Sequence, residues 1–322
     1  MHAHIVFPET MNRAGSFGPE LLTGADGIVS FRFGGYQMKP MDYRNTIFMD
    51  VDMRLEEMHR HGIDLQLLSP NPLTFFHHIP EQDAINFCIA QNDAMANVVS
   101  KHADKFLGAA AIPIQDIDAA IREAERSVQQ LGLSAVYIGT NFPFDIHDPC
   151  LDDLYSAITE LNVPLFMHPA SSGGPGGPDD PRLAHFDMTL ILGYAYEETM
   201  AVAQLVLGGV VDRHPHLDIC ISHGGGVASY LFPKLEGWSE VRDWAPQSVK
   251  EHGFLHGLKK LWFDVHVPGK LQKQMLLDLV GIERCVYGTN FGGWDTPGEA
   301  DAFARSLSPN AEKLMRILAH RN

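Results

Sequence analysis

The chemistry-bearing residues begin at the second position. His2 and His4 are one residue apart, and on a β-strand positions i and i+2 project to the same side, so the His-Ala-His run offers two imidazoles to one point. Such a pair is a partial site for Zn²⁺ or a similar divalent ion, which accepts imidazole nitrogen readily. Alone it is a weak signal. Two further histidines strengthen it: His168 closes the apolar run VPLFMH, and His223 closes LDICISH just before Gly224, Gly225 and Gly226. A lone strand-end histidine is usually satisfied by its neighbours, but four at the ends of apolar runs are harder to explain blandly. The expectation is a metal centre. Most other histidines fall in helical or loop segments, where surface or capping roles are expected; His266 and the His77-His78 pair are candidate substrate contacts.

These side chains need a frame that brings distant strand ends to one rim. Eight short apolar runs recur, at 4–7, 63–69, 106–112, 134–139, 163–168, 217–222, 261–265 and 284–289. Runs this apolar, without strict alternation, suit parallel strands covered on both faces. Amphipathic helical stretches lie between them, at 52–61, 81–102, 116–131, 151–161, 197–214, 227–241 and 271–280, and 297–320 closes the pattern. The predicted fold is α/β, a (β/α)₈ TIM barrel, with the site at the C-terminal strand ends. An open doubly wound sheet is the alternative, but it would normally show a Gly-rich phosphate turn after the first strand, and this sequence has none. Residues 9–50 read as an insertion after the first strand, and SSGGPGGPDDPR (171–182) follows the fifth; both would emerge at the catalytic face. The chain is read as a single domain over 1–322.

Composition narrows the partners. A net charge of −16 argues against nucleic acid or an anionic membrane surface, although a local cluster can still hold a small anion. No apolar run approaches the roughly 18 residues of a membrane helix, and MHAHIVFPE lacks the features of a signal peptide. Cys88, Cys150, Cys220 and Cys285 show no CxxC spacing, so reduced thiols and a cytoplasmic location are expected.

HAH on the first strand, LFMHP after the fifth, SHGGG after the sixth and GTNF after the eighth together resemble the amidohydrolase superfamily. Within it, MRLEEMHRHGID, FLGAAAIPIQD, GTNFPFDIHDPCLDDLY, the EET of Tyr196–Thr199 and LGGVVDRHPHLDICISHGGG resemble the aminocarboxymuconate-semialdehyde decarboxylase branch over nearly the whole chain. The resemblance implies His2, His4 and His168 as ligands of Zn²⁺, with Mn²⁺ as the alternative ion. It implies His223 as the residue that orients or activates the water on that ion, and a homodimer. It also places an aspartate after strand eight as a further ligand and proton-transfer group. This sequence has Gly288-Thr289-Asn290 there. An amide oxygen coordinates weakly, and asparagine is no general acid or base near neutral pH. Either the chain is an inactivated variant, or it belongs to a subgroup whose proton transfer uses His223, Asp295 or a water on the metal. A second departure is that only Met1 precedes His2, so the first strand is expected to be short and His2 the least anchored ligand.

A carboxylic acid substrate calls for an arginine fork at the rim. Arg44, in MDYRNTIFMD, is the nearest match to the arginine of the decarboxylase branch, one position out of register; a surface ion pair is its bland alternative. Phe75, Phe76, Phe291 and Trp294 follow strand ends, where they serve either as walls for a flat conjugated substrate or as packing. The leading expectation is a metal-dependent lyase that removes CO₂ from a small unsaturated or aromatic carboxylic acid of a catabolic pathway. A hydrolase or hydratase using the same ion is the alternative, and an inactive ligand-binding barrel is the third.

Overall fold

The computed structural model describes residues 1–25, 27–39, 41–169, 180–293 and 300–317. Its strands in chain order are β1 (Ala3–Ile5), β2 (Glu20–Thr23), β3 (Val29–Phe33), β4 (Tyr36–Gln37), β5 (Gln66–Pro70), β6 (Phe106–Ala111), β7 (Ala135–Gly139), β8 (Leu165–His168), β9 (Ile219–Ile221), β10 (Trp262–Asp264) and β11 (Cys285–Val286). Among the described residues, eight of these form one sheet in the order β1-β5-β6-β7-β8-β9-β10-β11, with every pairing parallel. Helices separate most successive sheet strands, as parallel connection requires. The sheet curls until its edges meet: His4 N–H donates to Phe291 O at 2.6 Å, and Thr289 and Asn290 N–H donate to His2 O at 3.2 and 2.8 Å. This is the α/β architecture expected, consistent with a TIM barrel.

β1 is three residues long, as the sequence implied, yet His2 is not loose. Its carbonyl also accepts from the Thr289 hydroxyl at 2.9 Å, so the residues just after β11 anchor it. That anchoring is tertiary. Behind His4, the fully buried Arg54 of the helix Val51–Arg60 donates to the carbonyls of His4 and Ile47 and to Gln66 Oε1. Burial pushes this guanidinium down to about 9.

The segment between β1 and β5 was expected only as a long insertion; in the structure it carries the antiparallel sheet β2-β3-β4. The signal was present in VSFRF, whose Phe31 and Phe33 are buried, followed by Gly34-Gly35 joining the paired Phe33 and Tyr36. A two-residue glycine loop suits a tight hairpin because it accepts positive φ, here 51° at Gly34. Phe31, Phe33, Tyr43 and Phe48 pack with Val6 and Leu73, fixing this sheet against the barrel. No helix among the described residues is long and apolar enough to cross a membrane. The cysteines are free, three of them buried.

Candidate active site

Strand alternation sorts the sheet residues. Tyr137, Phe166, Cys220, Trp262 and Val286 pack together in one cluster, while Ile138, Met167, Ile221, Phe263 and Cys285 join the cluster that contains the helices. Two residues along the first set's strands lie His168 (from Phe166) and Asp264 (from Trp262), which therefore share the inner face. His2 and His4 sit on the inner face of β1, with Ala3 and Ile5 outside. His223 follows β9 at φ 45°, and the glycines after it continue at positive φ. A side chain at Gly226 would lie 2.2 Å from Ala195 O, which explains why that turn uses glycine.

Four imidazoles converge. The ring of His2 lies 4.6 Å from that of His4, 4.8 Å from His168 and 4.8 Å from His223; His168 is 4.7 Å from His4 and 4.9 Å from His223. Each has its Nδ1 held: His2 by Asp264 (2.9 Å), His4 by Ser69 Oγ (3.1 Å), His168 by the Pro169 carbonyl (2.7 Å) and His223 by Glu198 (2.6 Å). Fixing Nδ1 orients the ring and leaves Nε2 as the ligand atom. His2 Nε2 and His4 Nε2 stand 2.7 Å apart, and His168 Nε2 is buried without a hydrogen-bond partner among the described residues.

The electrostatics suit this arrangement to a cation. Burial pushes His2 down to about 4 despite the opposing pull of Asp264. Burial, followed by the neighbouring histidines, pushes His4 and His168 well below the ordinary imidazole range. All three are neutral at pH 7. Ser69 gives its own proton to Ala3 O at 3.1 Å, so His4 Nδ1 is the donor in its bond to Ser69, and His2 Nδ1 donates to the carboxylate. Two Nε2 lone pairs therefore face each other at 2.7 Å, a repulsive contact that a shared divalent ion turns into coordination. The residues fit a metal. Ligand atoms of His2, His168 and His223 also lie within 4.8 Å of one another, and His2 and His223 each have Nδ1 on a carboxylate, Asp264 and Glu198.

Two carboxylates were missed by the sequence reading. Asp264 accepts from His2 Nδ1 and, through Oδ1, from the backbone N–H of His223 (3.1 Å) and His266 (2.9 Å). Burial works to raise it, but His2, with His223 and His266, prevails and holds it well below the ordinary carboxylate range. Glu198 is raised by burial, which His223 and Ser222 only partly offset. The available signal was an acid inside otherwise apolar LWFDV and, for Glu198, the EET run.

A cavity of about 1030 Å³ opens above the cluster, bordered by His4, His168, His223, His266, Asn290 and Phe291, among others. Asn290 sits at φ 51°, a conformation that asparagine tolerates better than most residues, and its side chain packs on Gly293. Phe291 is buried, with the Arg54 guanidinium 5.9 Å from its ring centre. Arg44 corrects an expectation: it is exposed at the end of the short helix Tyr43–Asn45 and does not border the cavity, although Tyr43 and Asn45 do. The helical turn rotates it outward. Of its two expected roles Phe75 takes the packing one, stacking on His77 within the barrel interior. Phe76 packs edge-on against Phe87. His77 is buried and accepts from Gly139 N–H at 2.8 Å, while His78 pairs with Asn141. His266 does reach the cavity. Trp294 and Asp295, and most of the 171–182 segment, lie outside the described residues.

Fold and site together define a barrel-type protein with a cluster of four histidines, of a kind that suits a metal ion, at its C-terminal strand ends. Residues 1–320 match the amidohydrolase family (Amidohydro_2), and the chain belongs to it. It is similar to 2-amino-3-carboxymuconate-6-semialdehyde decarboxylase of Dictyostelium discoideum, 28% identical over 243 residues, covering 75% of this chain and 66% of that protein, just under two thirds. It is also similar to gamma-resorcylate decarboxylase of Rhizobium sp. (strain MTP-10005), 26% identical over 328 residues, covering 98% and 93%. Among solved structures, a dihydroxybenzoic acid decarboxylase from Polaromonas sp. JS666, with bound manganese and 2-nitroresorcinol, superimposes with a TM-score of 0.72 at 19% identity, covering 99% and 98%. The resemblance read from the sequence is borne out.

Proposed function

We propose that this chain is a metal-dependent carboxy-lyase that releases CO₂ from an aromatic or unsaturated carboxylic acid. The observation that carries this reading is the convergence of four imidazoles with anchored Nδ1 beneath one cavity. Support comes from relatives named as decarboxylases, one of them aligned over nearly the full chain.

His2, His4 and His168 would hold the ion, with the Asn290 amide oxygen as a further neutral donor. Nitrogen-rich ligation suits Zn²⁺, and Mn²⁺ is the alternative, being the ion in the similar Polaromonas structure. When bound, a divalent ion supplies positive charge against the substrate's oxygens and stabilises negative charge developing on them. Asp264 fixes the tautomer of His2 and spaces β10 against the residue after β9.

Asn290 carries no transferable proton near neutral pH. His223 takes that role, with its Nδ1 held by Glu198 and the residue bordering the cavity. A protonated His223 gives its proton to the carbon bearing the carboxylate. The carbon–carboxylate bond then breaks, its electron pair returns to the ring or alkene, and CO₂ departs. His223 regains a proton from solvent. Glu198 keeps the imidazolium oriented and paired throughout. The same reading makes the protein a cytoplasmic homodimer, which size-exclusion chromatography with light scattering would check.

The test combines metal analysis with CO₂ release from a panel of hydroxybenzoates and unsaturated acids. CO₂ evolution dependent on bound metal supports the lyase. A product acid without CO₂ would instead make the chain a hydrolase or hydratase, and tight binding without turnover would make it a binding barrel.

A further inference from the structure

We infer that the acid bound at this site carries a bulky apolar substituent pointing away from its carboxylate, an inference that rests on the decarboxylase reading for the reacting end alone. The first observation is size. A cavity of about 150 Å³ is enough for benzene, whereas this one measures about 1030 Å³. A single-ring acid would leave most of it to water.

The second observation is how polarity is distributed. Strand ends form the floor, which supplies His4, His168, His223 and Asn290. The wall comes from three connections outside the eight-stranded sheet, which contribute Met38, Met41, Met53, Leu73, Leu190 and Ile191 beside neutral polar groups such as Tyr43 and Asn45. Among the described residues bordering the cavity there is no lysine or arginine. Glu57, which also borders it, is already paired with Arg60 at 2.7 Å and His61 at 3.5 Å. A second carboxylate on the substrate would therefore meet no lysine or arginine among the described residues of the wall, and burying an unpaired charge there would be costly.

The third observation is the exposure of that wall. Met41 is 47% exposed and Ile191 67%, yet both face the cavity. Apolar side chains left open at a cavity mouth mark a surface for an apolar ligand. Methionine suits it because the unbranched, polarizable side chain adapts to groups of varied shape. An amphiphilic acid matches both ends: carboxylate and ring oxygens on the floor, an alkyl, prenyl or aryl group along the wall.

The test uses 2,6-dihydroxybenzoate and its 4-propyl and 4-pentyl derivatives, whose chains lie opposite the carboxylate. Binding to the purified metal-loaded protein is measured by calorimetry, and CO₂ release is followed in parallel. Each buried methylene is worth a factor of about four at most, so the pentyl acid should bind at least about tenfold more tightly than the parent. Ile191→Asp and Met41→Glu should each shrink that pentyl-to-parent ratio toward one, whatever they do to the parent itself. Equal or weaker binding of the pentyl acid overturns the inference. CO₂ from the parent with none from the pentyl acid also overturns it, while leaving the lyase reading intact. Tighter pentyl binding with no CO₂ from any of the three acids would sink the lyase reading and keep the ligand class.

Discussion

On the floor of the cavity each of the four histidines has its Nδ1 held by a second group, whereas along the wall methionine and aliphatic side chains, some of them exposed as Met41 and Ile191 are, meet the cavity through undirected apolar contacts. The floor draws its precision from strand alternation, because a residue on a barrel strand has one direction in which to point. The wall is assembled from connections between strands, which tolerate change in length and composition. On the proposed reading the difference teaches where each property resides: ion and proton chemistry below, selection among acids above.

Substitutions can break this division, and the largest effect should come from the floor. His168→Ala removes a buried nitrogen aimed at the shared point and should abolish most bound metal, with activity falling at least about a thousandfold; elemental analysis showing full metal content would refute the ligand assignment. Asp264→Asn keeps the shape but removes the charge behind His2. It should weaken metal affinity about 10- to 100-fold, read by competition with a chelating dye. Asn290→Asp should leave the rate equal or lower if His223 carries the proton, and a clear rise in kcat would reveal the chain as a disabled variant.

A pH series sharpens the same comparison. The His2 pKa is lowered by folding to about 4 from an ordinary 6.5, so the unfolded chain binds more protons between those values. Stability of the metal-free protein should therefore be fully present above about pH 6.5 and decline as the pH falls toward about 4. Burial acts in the same direction on His4 and His168. Thermal melts that stay level across that window would contradict the buried neutral cluster. The smallest effect belongs to Arg44→Ala, an exposed residue off the cavity, which should change kcat/KM by less than about twofold and stability by no more than about 0.5 kcal/mol.

The eight-unit pattern was legible because parallel strands buried on both faces leave uninterrupted apolar runs, and helices between them keep a different period. The histidines were legible because His168 and His223 close such runs and His2 and His4 form a His-Ala-His pair at the start of the first. Arg44 was misjudged because its outward direction depends on one turn of helix, Tyr43–Asn45, that no periodicity announces. Between wall and packing for Phe75 the sequence could not choose, because its stacking partner His77 is set by the packing around Gly139, where an added side chain would lie 2.8 Å from that ring.

What the sequence determined by itself is the family, the α/β alternation and the identity of the imidazoles, since these follow from residue type and local spacing. Tertiary structure alone decided which group fixes each imidazole. Asp264 reaches His2 across 262 positions of chain, and Glu198 reaches His223 across 25. Closure of the barrel brings them together, and a side chain at Gly288 would lie 2.8 Å from the Asp264 carboxyl carbon. Contacts of that kind depend on how the sheet curls, a property of all eight strands at once and of no single segment.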